Sequence, residues 1–449
     1  MPVPSLFAAA SDQLLAARLQ MAGTLMFHAV LASFGVGMPA LLLAAESRYL
    51  RTHDPEYREL ARRWSKTFAV LFAVGAVSGT VLSFELGILW PKFMRVFGPA
   101  IGLPFTFEGF AFFLEGIFVG VYLYGWERLS PRIHWLCGWP IAIAGVASAA
   151  FVVSANAWIN APGGFRFEGG KLVEVDPWQA MFGPTAPAQA AHVIVASFMV
   201  TGFAVAGFHA WRLARGTVNV SYHRKAMSLA APVAAVATLA QLVIGDWSGH
   251  VVAETQPVKL AALEGQFETE AGASLRIGGW PDPDAHRTRY ALKIPSGLSM
   301  LAYHDPHATV RGLDEFPAAD QPPVLIVHLA FQAMVGIGSA LAALAAWALV
   351  HRARRGSLPE TRGFLFALAA AGPLSIVAME AGWIVTEVGR QPWIVQGLMR
   401  TSDAVTDSPY VHASLAVAVL VYLSLAAGTF GALRLLARRP MGGEPRHGA

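Results

Sequence analysis

A carboxylate and a guanidinium lie three residues apart at the edge of a long apolar run. The run covers residues 364–385; Glu387 and Arg390 follow it, and Trp383 and Trp393 lie on either side of this pair. Charged groups are costly at membrane depth and therefore need partners or a bound cofactor. An interfacial anchor is the alternative, because Trp and snorkelling Arg side chains are common at the ends of membrane helices. The close Glu–Arg spacing beside a helix-ending proline favours a functional site.

Three side chains inside other apolar runs are able to bind iron, namely His28, His192 and Met334. A neutral imidazole binds haem iron through one ring nitrogen, and a His/Met pair is a known haem ligation that raises the reduction potential. Gly336 and Gly338 leave flat space beside Met334, which suits a macrocycle. Taken singly, each residue also has a structural explanation: a histidine bonded to a neighbouring helix, or a methionine that fills the core.

Two glutamates, Glu108 and Glu115, stand among aromatic residues of a further apolar run. Their separation of seven places both on one face of a helix. Carboxyl groups on an apolar face suit the carrying of protons through a membrane. The alternative is a structural pair bonded to neighbouring helices.

Membrane helices must position these side chains. Nine apolar segments are long enough to span a bilayer. They cover residues 19–45, 67–90, 107–126, 134–158, 188–211, 227–249, 323–350, 363–387 and 410–433. A polar insert, residues 250–322, separates the sixth and seventh segments and contains no spanning run. The pattern predicts an all-α integral membrane protein. It contains no internal repeat, so a transporter built from inverted halves has little support.

Composition agrees with a membrane protein. Apolar residues make up 55% of the chain and charged residues only 14%, whereas soluble domains carry about 25% charged residues. The single cysteine, Cys137, excludes an internal disulfide framework and a cysteine-built metal or iron–sulfur site. The basic residues are spread over short loops, which fits membrane topology better than nucleic-acid binding. Residues 1–18 contain Asp12 and Arg18 and lack an apolar core with a cleavage site, so no removable signal peptide is expected.

Lys and Arg favour one orientation in the membrane. Most of the 33 basic residues lie on every second connection, which the positive-inside rule places in the cytoplasm. The N-terminus and the insert are then outside, and the C-terminus is inside. Measured along the predicted helices, the unusual polar residues fall in the outer half of the bilayer. They are His28, Glu108, Glu115, His192, Asp246, Met334 and Glu387. One layer of buried ligands beneath an external loop predicts a layer of cofactors.

The segment from Gly382 to Trp393 reads GWxxxExGRQPW, where x is any residue. It resembles the signature of subunit I of the cytochrome bd family of quinol oxidases, and the resemblance continues in order from about Arg18 to Thr406. It implies the haem-bearing subunit of a terminal quinol oxidase. Such a protein oxidises quinol on the outer face, reduces dioxygen to water and generates a proton gradient without pumping.

The resemblance also implies the cofactors and their ligands. His192 and Met334 match the ligands of a low-spin haem b. His28 and Glu387 match residues that serve two high-spin haems, one b-type and the other d-type or b-type. The resemblance does not assign which iron each of these two residues holds.

Further residues take roles from the same resemblance. Glu108 and Glu115 resemble the glutamate pair of the oxygen-reducing site, although the family pattern has one more residue between its two glutamates. Either a local bulge or a slightly different direction of Glu115 is expected. Arg390 and Trp383 are expected to hold haem propionates and rings by charge and stacking.

The insert resembles the short form of the family's external quinol loop, as in the cyanide-insensitive branch. Lys259 and Glu264 match its KLAAxE motif and lie five apart on a predicted short helix. They are expected to bond the quinol hydroxyl groups and accept their protons. Without the resemblance, a solvated surface helix is the simpler interpretation. Asp246 is a further candidate for quinol binding, and Gln332 stands where some family members carry arginine.

Three regions follow from these assignments. Residues 1–249 form a six-helix haem-binding region, residues 250–322 the quinol loop, and residues 323–449 a three-helix region with a cytoplasmic tail. The resemblance implies a second large membrane subunit without haem, and it leaves room for a small single-helix subunit. The substrates are ubiquinol or menaquinol and dioxygen. The expected location is the bacterial inner membrane.

Two other classes of function stay open on the residues alone. One is a haem-containing membrane electron carrier without oxygen chemistry, and the other is a non-haem transporter or scaffold. A haem–copper oxidase is disfavoured, because no paired-histidine motif suited to copper occurs within a span.

Overall fold

The computed structural model describes residues 3–438, with side chains from Asp12 onward. Residues 1–2 and 439–449, including Arg439 and Arg446 of the predicted cytoplasmic tail, lie outside the described residues. The helices in chain order are α1 Val3–Thr52, α2 Pro55–Leu89, α3 Pro91–Tyr124, α4 Pro131–Asn160, α5 Pro177–Met181, α6 Ala186–Ala214, α7 Val220–Thr255, α8 Pro257–Glu264, α9 Gly297–Tyr303, α10 Val324–Arg355, α11 Arg362–Val388, α12 Thr401–Ala404 and α13 Val411–Arg438. Two short 3-10 helices cover Leu313–Glu315 and Ala318–Asp320.

Short strands occur in the connections and in the insert. They are β1 Arg166–Glu168, β2 Lys171–Val173, β3 Glu270–Ala271, β4 Leu275–Ile277, β5 Trp280–Asp282, β6 Arg287–Arg289, β7 Leu292–Ile294, β8 Thr309–Val310, β9 Trp393–Val395 and β10 Met399–Arg400. They pair as β1–β2, β3–β8, β4–β7, β5–β6 and β9–β10, all antiparallel. Within the insert the pairs are nested, and the register places Leu275 opposite Ile294 and Trp280 opposite Arg289.

Proline and capping residues begin several helices. Pro55 and Pro91 occupy the first positions of α2 and α3, where a missing N–H costs no helical hydrogen bond. The carboxylate of Asp54 accepts a hydrogen bond from the backbone N–H of Glu56 at 3.0 Å and caps α2. Gly265 ends α8 with φ +59°, a conformation in which a Cβ would be strained. Local sequence therefore sets many of the helix boundaries.

The nine predicted spans are confirmed as nine helices, among the residues described, that are long and apolar enough to cross a membrane. Several helices extend beyond the predicted spans: α1 covers Val3–Thr52 rather than 19–45, and α2 begins at Pro55 rather than at residue 67. α3 begins at Pro91 rather than at residue 107, because Phe93 and Phe97 pack with Trp158 in a buried cluster that stabilises its proline-containing first half. α7 continues to Thr255, so the insert begins at residue 256 rather than at 250.

The alternation of the long helices defines two ends of the bundle. We call the end that carries the connections 52–55, 124–131, 214–220 and 355–362 the basic end. The opposite end carries residues 256–323, and we call it the insert end.

The long helices pack in two groups. α6 and α10 each pack against both α7 and α11, which forms a four-helix bundle with α6 and α10 at opposite corners. α1 packs against α2, α4 and α6, and α3 packs along α4. A Cβ at Gly202 would lie 2.7 Å from the backbone nitrogen of Ala234, so glycine permits the close approach of α6 and α7. The apolar window of α13 is not buried against the rest of the described chain, which leaves it for lipid or a partner.

The insert is held against α10 by polar contacts. The Gln332 amide accepts a hydrogen bond from the backbone N–H of Gly278 at 2.8 Å and donates one to the carbonyl of Arg276 at 3.0 Å. The His328 ring nitrogens lie 2.7 Å from the Leu263 carbonyl and 3.1 Å from the Gly278 carbonyl. Gln332 therefore anchors the backbone of the insert.

Candidate functional site

The hydrogen bonds of His28 determine its tautomer. The hydroxyl of Ser78 on α2 donates to the carbonyl of Gly75 at 3.0 Å. Its oxygen lies 3.0 Å from Nδ1 of His28 and can there only accept, so Nδ1 carries the ring proton. Nε2 of the neutral ring keeps its lone pair, which is the form in which an imidazole binds a metal.

His192 and Met334 lie at opposite corners of the four-helix bundle. His192 is near the insert end of α6, with Nδ1 3.5 Å from the hydroxyl of Ser248 on α7. Met334 lies on α10, and a Cβ added at Gly382 of α11 would approach its sulfur to 3.1 Å. Cofactor sites in helical bundles are built from side chains on facing helices. Both candidate ligands therefore lie on helices of one bundle, His192 against α7 and Met334 against α11.

Glu387 lies in a polar cluster at the insert end of α11. Arg390 donates to its carboxylate at 2.5 Å, and Asn156 on α4 donates to the other oxygen. Arg390 is only 5% exposed and also donates to the carbonyls of Trp393, at 3.0 Å, and Ile394. This ion pair is thus enclosed on several sides. Carboxylate oxygens keep further lone pairs for a ligand. Trp383, one turn earlier on α11, is half-buried.

Glu108 and Glu115 both face α4, as the spacing of seven predicted. The hydroxyl of Ser148 donates to Glu108 at 3.3 Å, and a Cβ at Gly145 would lie 3.4 Å from Glu115 Oε1. α3 is continuous through both residues, without a bulge. The expected single layer is wrong for Glu115, which lies opposite the middle of α4. The reason is that α3 begins at Pro91, so counting from residue 107 misjudged the height of Glu115.

The predicted short helix that carries Lys259 and Glu264 is confirmed as α8, and both side chains are buried. Lys259 donates to the side-chain oxygen of Asn160 at 2.5 Å, and its alkyl chain passes over Gly389 at the end of α11. Burial, together with the nearby Arg390 cation, lowers the pKa of Lys259 to about 7, although Glu387 opposes this shift. Lys259 therefore belongs to the polar cluster around Glu387.

Glu264 points toward a different neighbour. Five residues of helix turn the side chain by about 140° relative to Lys259. Burial raises the pKa of Glu264 to about 8, and the Arg276 cation in β4 opposes the shift. One carboxylate oxygen of Glu264 has no hydrogen-bond partner. A buried acid with an unpaired oxygen is suited to accept a proton from a bound hydroxyl group.

Asp246 does not lie with Lys259 or Glu264. It is exposed on α7 and pairs with His304 of the insert at 3.2 Å. The prediction had placed Asp246 at the end of its span, but α7 continues nine residues beyond it to Thr255.

Sequence reasoning missed two charged residues near these groups. Arg18 on α1 donates to the side chain of Gln391 at 2.8 Å, and its Nε has no partner. Both carboxylate oxygens of Glu380 on α11 are buried without a partner. A charged residue inside the apolar run 364–385 was a visible signal for Glu380. Arg18 carried a weaker one, because it lies at the edge of its span.

A histidine pair also escaped prediction. His209 on α6 and His223 on α7 approach each other at the basic end, with their Nδ1 atoms 2.7 Å apart. Trp64 lies 3.4 Å from Nε2 of His209. The two histidines lie on different helices, so no motif within one span predicts the pair. Within residues 3–438, no group of three or more His, Cys, Asp or Glu side chains could hold a metal ion.

The candidate ligands fit haem. A porphyrin supplies four nitrogen ligands itself and needs only one or two side chains from the protein. His28 offers a free Nε2, and glycine leaves space beside both His28, at Gly79, and Met334, at Gly382. The buried Nε atoms of Arg18 and Arg390 are unpaired donors, which suit carboxylates such as haem propionates.

Comparison with known proteins identifies a family. The chain matches the family described as cytochrome bd terminal oxidase subunit I across residues 16–441. It is 31% identical to the cytochrome bd ubiquinol oxidase subunit 1 of Bacillus subtilis (strain 168), covering 92% of this chain and 90% of that protein. It is 30% identical to the cytochrome bd-II ubiquinol oxidase subunit 1 of Escherichia coli (strain K12), covering 91% and 92%. The solved bd oxidase of Geobacillus thermodenitrificans aligns with a TM-score of 0.90 and 40% identity over 96% of this chain and 99% of that one.

A bundle of membrane helices with a candidate imidazole ligand on one helix and a candidate thioether ligand on another is typical of one class of protein, the haem-bearing membrane oxidoreductases. Within that class, the chain belongs to the cytochrome bd terminal oxidase subunit I family. It is a multi-pass membrane protein of respiratory electron transport with terminal quinol oxidase function, and subunit I implies a subunit II as its partner.

Proposed function

We propose that this chain carries the haems of a quinol:oxygen oxidoreductase. His192 and Met334 hold a low-spin haem b. His28 and Glu387 hold two high-spin haems, one b-type and the other d-type or b-type, and Glu108 lies beside them. The observation that carries the proposal is the placement of His192 and Met334 at opposite corners of one four-helix bundle. When bound, haem iron supplies one-electron transfer and the reduction of dioxygen to water.

The residues around these positions orient the cofactors. Arg390 is buried, and its Nε–H, which has no partner, suits a haem propionate. Trp383 offers a flat ring for stacking. Asn156 keeps the Glu387 carboxylate in one direction.

Quinol binds beside α8. Lys259 and Glu264 bond its two hydroxyl groups and accept their protons, and Asp246 lies outside this group because it pairs with His304. Each quinol releases two electrons and two protons. Two quinols therefore supply the four electrons that reduce one dioxygen to two waters, and four protons are taken up for that reduction.

The sidedness follows from the basic residues. The basic end faces the cytoplasm by the positive-inside rule, and the insert end faces the outside of a bacterial inner membrane. Quinol protons leave on the outer side, while protons for water formation enter from the cytoplasm. Electron transfer then charges the membrane without a pump. The haem-binding regions are residues 1–255 and 324–438, and residues 256–323 bind ubiquinol or menaquinol. A small single-helix subunit accompanies subunit II.

Oxygen uptake tests the proposal. The complex purified with subunit II is expected to consume oxygen with reduced quinol. A pyridine haemochrome and a low-temperature spectrum are expected to give three haems, of which one is low-spin. A coloured protein that is reduced by quinol without consuming oxygen would be an electron carrier, and a colourless one a transporter or scaffold. Either result contradicts the proposal.

Glu264 predicts a pH dependence of quinol oxidation. With a pKa of about 8, its carboxyl group is protonated at lower pH and cannot accept a quinol proton. The rate is therefore expected to rise as pH increases through about 8. Glu264→Gln should remove this rising limb and slow quinol oxidation roughly 100-fold, the usual contribution of a general base. Initial rates between about pH 6 and pH 9 measure both effects. Glu268→Gln, at an exposed position four residues away, is the matched control. A rising limb that persists in the Glu264→Gln variant would contradict this role.

The space beside His28 predicts the effect of a single methyl group. Gly79→Ala places a Cβ 2.9 Å from Cε1 of His28, which is closer than carbon atoms normally approach, and we expect the ring to be displaced and high-spin haem content to fall. Gly75→Ala is the control on the same helix, because its nearest neighbour, Cβ of Leu31, lies at an ordinary 3.5 Å. Absorption spectra of the two purified variants measure the difference. Equal haem content would show that His28 tolerates displacement or binds no haem.

A further inference from the structure

Three buried side chains form a hydrogen-bonded triad at the basic end. Glu46 lies on α1, Tyr122 on α3 and His134 on α4, and they are 3%, 1% and 2% exposed. Nδ1 of His134 lies 2.9 Å from one carboxylate oxygen of Glu46, and the Tyr122 hydroxyl donates to the other. Nε2 of His134 lies 2.8 Å from the backbone carbonyl of Tyr122. The triad ties three membrane helices together.

The contacts determine how many protons the triad holds. A carbonyl oxygen only accepts, so Nε2 of His134 must donate to Tyr122. Nδ1 of His134 is then in one of two protonation states. In the first, Nδ1 carries a proton and donates it to the Glu46 carboxylate. In the second, Nδ1 accepts a hydrogen bond from a protonated Glu46. In both states one transferable proton lies between Glu46 and His134.

The triad lies in line with the two glutamates already described. Glu115 is seven residues from Tyr122 on α3, and Glu108 is seven residues further, so successive positions are about 10 Å apart along the helix. Oε1 of Glu115 has no hydrogen-bond partner and faces two glycines. A Cβ would lie 3.9 Å from it at Gly35 on α1 and 3.4 Å at Gly145 on α4. We call the interface between α1, α3 and α4 the seam. It therefore contains protonatable groups about every 10 Å along α3.

The same seam continues toward the insert end. Ser148 on α4 donates to Glu108, and Asn156, two turns further along α4, donates to Glu387. Polar side chains thus recur at intervals along α3 and α4 between the triad and the cluster around Glu387.

A cavity adjoins the triad at the basic end. It has a volume of about 320 Å³, and its lining includes Arg62, Lys66, Trp126, Glu127 and Arg128. The Trp126 ring lines this cavity and lies against the His134 ring, with centroids 4.1 Å apart. Nε1 of Trp126 is buried without a partner. Arg62 pairs with Glu127 at 3.1 Å, so the cavity wall carries both signs of charge. One indole ring therefore separates the charged cavity from the triad.

We propose that Glu46 and His134 form the proton-entry station of this chain, which takes protons from the cavity at the basic end and passes them through water in the glycine-lined seam to Glu115 and Glu108. The inference rests on the proposed function, which requires protons from this side for water formation. In each cycle the pair gives one proton toward Glu115 and regains one from the cavity. No bond other than the bonds to the moving proton changes.

Glu46→Gln tests the station with little change of shape. The amide oxygen still accepts from Tyr122, and the amide N–H can donate to Nδ1 of neutral His134, so every hydrogen bond is kept while the transferable proton is lost. In the purified complex we expect unchanged haem content and unchanged reduction by quinol. Steady-state oxygen consumption should fall roughly tenfold or more, because proton delivery limits turnover. A pH-indicator dye should report equally slowed proton uptake when the fully reduced complex reacts with oxygen.

Two further variants separate proton entry from a structural role. Tyr122→Phe removes a hydrogen bond but keeps the shared proton, so near-normal turnover is expected. Glu59→Gln removes a carboxylate of the basic end that pairs with Arg63 outside the seam, and it should leave turnover unchanged. Haem loss in both Glu46→Gln and Tyr122→Phe would identify a purely structural triad and overturn the proposal.

Normal turnover and proton uptake in Glu46→Gln would overturn it as well, and would direct attention to entry through subunit II. An unaltered complex that consumes no oxygen at all would instead refute the proposed function.

Discussion

Met334→Leu is expected to abolish the low-spin haem signal while leaving the protein in the membrane. Leucine nearly conserves the volume of methionine, and such exchanges cost less than about 1.5 kcal/mol of stability. Leucine has no sulfur lone pair, so the substitution removes only the proposed bond to the haem iron. The reduced-minus-oxidised spectrum of the purified complex measures the result. Quinol-driven oxygen consumption should fall to background, because in the proposed function electrons from quinol enter at the haem that Met334 holds.

Met379→Leu is the matched control for this experiment. Met379 lies on α11 in the same bundle, and its sulfur accepts a hydrogen bond from the hydroxyl of Ser33 at 2.9 Å. Loss of that contact should leave the spectrum unchanged. If Met334→Leu also keeps a normal low-spin signal, the assignment of His192 and Met334 as a haem pair is wrong.

Arg390→Gln is expected to have the largest effect on the cluster around Glu387. The guanidinium bonds the Glu387 carboxylate and the carbonyls of Trp393 and Ile394 from a site that is 5% exposed. Breaking a buried ion pair costs about 3–5 kcal/mol, and we expect the lower part of this range because the Glu387 side chain is 26% exposed. We therefore expect a lower midpoint temperature of thermal inactivation together with a loss of high-spin haem absorbance.

Arg400→Gln tests whether burial is the cause. Arg400 bonds Asp320 at 2.5 Å, the same distance as in the Arg390–Glu387 pair, but the two side chains are 35% and 33% exposed. Such solvated pairs contribute about 0–1 kcal/mol. Arg400 also donates to the Ala319 carbonyl at 2.9 Å and lies 4.9 Å from the centre of the Trp393 ring, so we expect a change in inactivation temperature that is smaller than for Arg390→Gln. Equal behaviour of the two arginine variants would mean that the Arg390–Glu387 contact stabilises nothing beyond an ordinary surface pair.

Sequence patterns predicted the membrane spans more reliably than the depth in the membrane at which individual residues lie. The first half of α3 contains Pro99 and Pro104 and was interpreted as a connection. It is helical because Phe93, Phe97 and Ile101 are buried in a cluster with Trp158. Tertiary packing thus outweighed local helix propensity, and the predicted height of Glu115 was wrong as a result.

A motif within one segment predicts only part of the cluster around Glu387. Glu387 and Arg390 lie three residues apart on one helix, so helical geometry alone brings them together. Asn156 and Lys259 come from α4 and α8, far away in the chain, and nothing in their local sequence predicts that they meet Glu387 or Asn160.

The sequence by itself determined the membrane-spanning helices, the family and the short helix with Lys259 and Glu264. These depend on apolar content, on spacing within one helix and on a contiguous motif, all of which are local. Only the tertiary structure decided that Asp246 stands apart, that Glu264 and Lys259 face different neighbours, and that the side chains of Glu46 and His134 lie within hydrogen-bond distance. Such pairings depend on the rotation and relative height of separate helices, which packing between their surfaces sets and no single segment encodes.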